Sequence, residues 1–183
     1  MGAVFTPVFY IFSIAAAASA VIVCGFEWTA VITAVFLILL AACAASDINK
    51  GIVPDLIVIF IAVIAIVKIL INGISIQNII SHLAGALVLS VPMLIAALIV
   101  RNGFGGGDIK MMAAAGLFLG LDKTIIAGLI AFFVAGFCSV FLLLTKKKGA
   151  KSKVKLAPYL ALGCAFSELF GEFFILLFES FLQ

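Results

Sequence analysis

The sequence predicts an all-α fold, a polytopic membrane helix bundle of about six to seven transmembrane helices, and three observations carry that expectation. Of the 183 residues, 67% are hydrophobic and 10% charged, whereas a soluble domain has roughly 45–50% and about 25%. Several apolar runs approach the roughly 20 residues a helix needs to cross about 30 Å of hydrocarbon. The breaks between runs carry turn chemistry: Gly25 with Glu27, Ile48 to Pro54, Asn72 to His82, Asn102 to Gly107, Leu121 to Lys123, and Lys146 to Lys155. A single transmembrane domain over residues 1–183 follows.

In chain order, spans are expected at 4–25, 29–46, 54–71, 83–101, 107–120, 124–145 and 157–180. The first has no charged residue before it and no evident cleavage site before Glu27, so it reads as a retained helix rather than a signal peptide. The second, Thr29 to Ser46, is built of apolar and small residues. The third opens on Pro54, whose fixed φ suits a first helical position. The fourth begins after His82, read as an interfacial residue of the preceding loop, and the fifth is short enough to be tilted or buried. The sixth stops at the lysine-rich loop. The last carries Glu168, Glu172 and Glu179 at spacings of four and seven, an acidic stripe near one helical face.

The formal net charge of +3 does not point to nucleic acid, because the basic residues concentrate in the loop Lys146 to Lys155. That pattern is topogenic, with binding of anionic lipid headgroups as a secondary reading. If the loop is cytosolic, Lys50, Arg101 and Lys110 join its lysines there, leaving only Lys68 and Lys123 on the other side. This orientation gives a cytosolic amino terminus, an external carboxyl terminus, and Asp47, Asp55 and Asp108 together at the cytosolic mouth. The expected location is the cell (cytoplasmic) membrane. Cys24, Cys43, Cys138 and Cys164 stand singly in apolar segments with no CxxC pair or nearby His, so no metal site, cofactor or disulfide is expected.

Asp47 follows the small apolar run, and Asp108 opens the fifth helix after Gly103-Phe104-Gly105-Gly106-Gly107. Ionisable groups in membrane helices are costly and usually face a bundle interior or a wet cavity, so two at matching depth suggest a shared site. Two carboxyls close together in a partly dry site hold one proton between them. The ionised member can take a proton from water while the protonated member donates to a peptide carbonyl. Gly105, Gly106 and Gly107 form the expected substrate-approach loop, since glycine allows close backbone approach and conformations closed to other residues. The simpler alternative is an interhelical turn capped by an aspartate.

Gly105-Gly106-Gly107-Asp108-Ile109-Lys110 resembles the GxGD signature of membrane aspartyl proteases, in particular the type IV prepilin peptidase and preflagellin peptidase family. Asp47 with the downstream Pro54-Asp55, and Pro158-Tyr159-Leu160-Ala161-Leu162-Gly163, resemble two further motifs of that family, in the same order. The resemblance covers residues 43 to 163. It implies an aspartic endopeptidase, with Asp47 and Asp108 as the catalytic pair. Its partners are prepilin, Flp/Tad pilin or preflagellin-like substrates, whose short basic leader is removed at the cytosolic face. The chain lacks the cytosolic insert with paired CxxC motifs of the long bacterial form, so the resemblance does not extend to N-methylation.

Two rival classes stand beside this reading. A presenilin-like intramembrane protease would share GxGD, but Asp47 follows Ser46 rather than Tyr, and Pro158 is followed by Tyr159. A transporter or assembly scaffold would need no meeting of the two aspartates. Asp55 and Lys110 are supporting candidates, each with a plain alternative: a first-turn acid on the helix dipole and a lysine snorkelling to water. Finally, Lys68 lies fourteen positions after Pro54 and Glu172 fourteen after Pro158. Lys68 is therefore expected to pair with Glu172, or with Glu168 one turn away.

Overall fold

The computed structural model describes residues 28–99, 105–144 and 155–182, and all their regular structure is α-helical. The expected span 4–25, Gly103, Phe104 and most of the lysine loop lie outside the described residues. Six helices follow in order: α1 (Trp28–Lys50), α2 (Asp55–Ile71), α3 (Ile76–Ile99), α4 (Gly106–Leu119), α5 (Leu121–Leu144) and α6 (Ala157–Leu182). Residues in α1, α3, α5 and α6 form spans long and apolar enough to cross a membrane, and the chain is a multi-pass membrane protein. α2 has 17 residues, and α4, with 14, is only about 21 Å long at 1.5 Å per residue.

The short helix is central. α4 packs against α2, α3, α5 and α6, while α1 lies against α2 and α6. Phe36 of α1 reaches it by stacking on Phe118 at 3.9 Å between ring centroids. Met111, Met112, Ala115 and Phe118 of α4 are almost fully buried. Small residues permit these close approaches, as is usual where lipid supplies no hydrophobic force between helices. A Cβ on Gly85 of α3 would fall 2.6 Å from the Gly116 carbonyl oxygen of α4. Gly163 of α6 lies in the same way against Ala127 and Ala131 of α5.

Three boundaries depart from the sequence expectation by three residues or more. One is the start of α5, which begins at Leu121, so that the expected break Leu121 to Lys123 is helical and only Gly120, with φ of 81°, separates it from α4. α3 starts at Ile76, seven residues before the expected 83, because Ser75 Oγ accepts the Asn78 N–H at 3.2 Å and so caps the helix. His82 is accordingly a helical residue, 7% exposed, and not part of a loop. Its Nδ1 lies 2.7 Å from the Leu117 carbonyl, one of the carbonyls that the end of α4 leaves without a helical partner. α1 runs past 46 to Lys50 and ends on Gly51, whose φ of 68° and N–H bond to the Asp47 carbonyl at 2.8 Å form a left-handed cap. Asp47 therefore sits in the last turn of α1 rather than beyond it.

Near the end of α2 and the start of α5, well away from that turn, charges meet. Lys68 of α2 lies 2.7 Å from Glu168 of α6, and Lys123 of α5 lies 3.5 Å from Glu168 and 3.2 Å from Glu172. Thr33 of α1 donates to Glu168 at 3.1 Å, and the Lys68 ammonium stands 3.9 Å over the Phe118 ring. Of the two expected partners, Lys68 takes Glu168.

Candidate active site

Four chain segments converge at one end of the bundle: the end of α1, the loop 51–54, the start of α4 and the start of α6. Asp47 is 7% exposed. An acid at the carboxyl end of its own helix faces that helix's negative pole. Here the start of α6 offsets this, since the Ala157 N–H donates to the Asp47 carboxylate. Lys155, just before α6, donates to the Ile48 carbonyl at 2.6 Å, and its charge acts on Asp47. Asp47 Oδ2 is nonetheless buried with no hydrogen-bond partner among the described residues, and most such atoms in folded proteins are satisfied.

Asp108 occupies the third position of α4, after the N-cap Gly105, and its carboxylate accepts the Gly105 N–H. This is the reach-back half of a capping box. Asp108 lies at the mouth in a helix that is not among the four spanning ones. Burial, and next the charge of Asp47, push its carboxyl from 3.8 up to about 6, with the Gly105 hydrogen bond acting in the opposite sense. A carboxyl with that value near a second carboxylate is suited to holding a proton that it can give up.

The glycines act by proximity. None of Gly105, Gly106 and Gly107 has a positive φ; among the described glycines only Gly51, Gly73 and Gly120 do. The expected need for unusual backbone conformations does not hold at these three positions. Gly107 instead lets α4 approach the loop after α1, for a Cβ there would lie 2.9 Å from Val53 Cβ. A Cβ on Gly105 would come within 3.1 Å of Asp108 Oδ2, whereas one on Gly106 would meet nothing within 4 Å. Among the described residues, the open side of the loop is thus at Gly106.

Asp55 and Lys110 pair with each other, Lys110 Nζ lying 2.9 and 3.0 Å from the two carboxylate oxygens, with both side chains largely exposed. They stand at the rim, and Lys110 is engaged with Asp55 rather than with Asp108. Lys155 was not singled out from the sequence, where it is one lysine among six in a basic loop. Its place before Pro158 at the start of a long apolar run was the available signal.

The sequence profile of the type IV leader peptidase family matches residues 34–140. Over 140 residues the chain is 29% identical to the prepilin leader peptidase/N-methyltransferase of Bacillus subtilis (strain 168). That alignment covers 75% of this chain and 55% of that protein, so the chain spans about half the length of this curated relative. No solved structure matches the chain significantly. The profile match covers more than half of the sequence and includes both mouth aspartates, the glycines before Asp108 and the Asp55–Lys110 pair, and the chain belongs to the type IV leader peptidase family.

Proposed function

We propose that this chain is a membrane-embedded aspartyl endopeptidase that removes the short basic leader from type IV prepilin, Flp/Tad pilin or preflagellin-like substrates at the cytosolic membrane face. Asp47 and Asp108 are its catalytic pair. The observation that carries this reading is the buried, unpartnered oxygen of Asp47 at the mouth where Asp108 feels its charge. An ionised carboxylate with a free oxygen can accept a proton from water. A neighbouring carboxyl that keeps its proton to about pH 6 can donate to the scissile carbonyl oxygen. The resulting hydroxide adds to the carbonyl carbon, and collapse of the gem-diol breaks the C–N bond as the amine nitrogen takes up a proton.

Family membership supports the substrate class, and the relative's name supports prepilin processing; the proposal takes only the peptidase activity of that name. Gly106, the open side of the loop, is the side from which an extended peptide can approach. The test is cleavage of a peptide spanning a prepilin leader junction by the full chain in detergent. Asp47→Asn and Asp108→Asn should each abolish cleavage while inserting into the membrane normally. Wild-type rates from either variant would overturn the pair. A reporter fused after Lys148 should be cytosolic and one at Gln183 external, and the reverse result would put the mouth on the wrong side.

A further inference from the structure

The two aspartates have unequal surroundings, and that inequality bears on which of them does what. Asp47 receives the Ala157 amide at the positive end of α6 and feels the charge of Lys155, whose ammonium is held on the carbonyl of the next residue, Ile48. Asp108 receives one amide, from Gly105, and faces the negative charge of Asp47. Among the described residues, the other cations at this end are Lys110, paired with Asp55, and Lys50 of α1, which is exposed. Burial strips the Asp47 carboxylate of hydration and is the largest influence on it; Lys155 first, and then the Ala157 amide, counter that loss in part.

Lys155 is held where it can act. Its ammonium donates to the Ile48 carbonyl, one of the last carbonyls of α1, in the residue next to Asp47. One side chain thereby fastens the segment before α6 to the end of α1 and sets a positive charge beside the buried Asp47.

We infer that Lys155 is a positioning residue that keeps Asp47 in its anionic form, making Asp47 the general base and Asp108 the general acid of the hydrolysis. This rests on the peptidase reading above. In the first half, a water O–H bond breaks, its proton goes to Asp47, and the new O–C bond forms at the scissile carbonyl. The carbonyl π pair moves to oxygen, which takes the proton of Asp108. In the second half, a gem-diol hydroxyl returns its proton to Asp108 as the C–N bond breaks, and the leaving nitrogen takes the proton from Asp47. Both groups end as they began.

The test compares Lys155→Arg, Lys155→Gln and Lys155→Met with wild type in detergent, reading kcat and KM against pH on a peptide spanning a prepilin leader junction. Arg keeps the charge, whereas Gln keeps a donor for the Ile48 carbonyl without it. Lys155→Gln and Lys155→Met should move the acid limb of kcat upward by about one pH unit, the lower end of a neighbouring charge's effect on a carboxylate. That is about a tenfold loss on the acid side, with KM little changed. Lys155→Arg should restore the wild-type limb. An unmoved limb in both neutral variants overturns the inference, as does an equal loss in all three without a shift, which would mark a purely structural tie. Asp47→Asn is run alongside. If it is inactive while the limb stays put, only the assignment of roles fails; if it cleaves normally, the peptidase reading itself fails.

Discussion

The two polar regions of this bundle are built in opposite ways. Away from the mouth, Glu168 is 6% exposed on its side chain and is met by Lys68, Lys123 and Thr33, which reach it from three other helices. At the mouth, Asp47 is similarly buried but keeps one oxygen without a partner among the described residues. A buried charge that is fully paired serves the fold, because its removal leaves others uncompensated. A buried carboxylate left partly unsatisfied carries an energetic cost that packing alone would remove, and such groups cluster where chemistry is done. The contrast separates a girdle that joins α1, α2, α5 and α6 from the mouth, where the proposed catalytic pair would meet a substrate.

The largest expected effect breaks the mouth. Asp47→Asn and Asp108→Asn should each lower kcat by at least about a hundredfold, the lower end of what a positioned acid or base contributes. Thermal stability in detergent should not fall with it. Loss of stability in parallel with activity would make the mouth a second structural girdle.

Glu168→Gln reverses the pattern. It leaves Lys68 and Lys123 without their buried anion, and breaking such a pair costs about 3–5 kcal/mol. The melting temperature should drop markedly while the folded fraction retains its kcat. Lys68→Met should cost less, since Lys123 still faces Glu168.

Titration sharpens the comparison further. Asp108 binds its proton more tightly in the folded chain than a free aspartate does, about 6 against 3.8. Its contribution to stability is therefore present below pH 4 and is lost as pH rises through 6. Asp108→Asn should be more stable than wild type at pH 7, by on the order of 1 kcal/mol once partial solvent exposure is allowed for. The gain should vanish near pH 4, as melting curves at the two pH values will show. The wild-type kcat/KM profile should lose activity on its alkaline side with an apparent pKa near 6, as the shared proton leaves.

The smaller effects lie in the loop and at the rim. Gly107→Ala forces a Cβ against Val53 and should cost about 1–3 kcal/mol, whereas Gly106→Ala meets nothing and should be neutral or slightly stabilising. Lys110→Ala breaks an exposed pair and should change stability by less than about 1 kcal/mol. A large stability loss from Lys110→Ala would mean that the rim pair belongs to the fold after all.

Composition and the spacing of apolar runs were enough to determine a helical membrane bundle and most helix limits to within a few residues, because both depend on local chemistry. The two aspartates were legible for the same reason: each carboxylate interrupts or borders an apolar run. The start of α3 was misjudged since Asn78, Ser81 and His82 read as loop residues, although Ser75 offered a capping signal.

Which residues meet was a matter for tertiary structure alone. Of the two partners the spacing allowed, Lys68 took Glu168, a hundred positions away, rather than Glu172. Lys110 turned to Asp55, and Lys155 came to the end of α1 across 107 positions. α4 became the central helix through close approach at Gly85 and Gly116. These outcomes depend on how helices rotate and cross, which is set by packing among all of them at once. A buried charge then takes whichever partner that packing brings within reach.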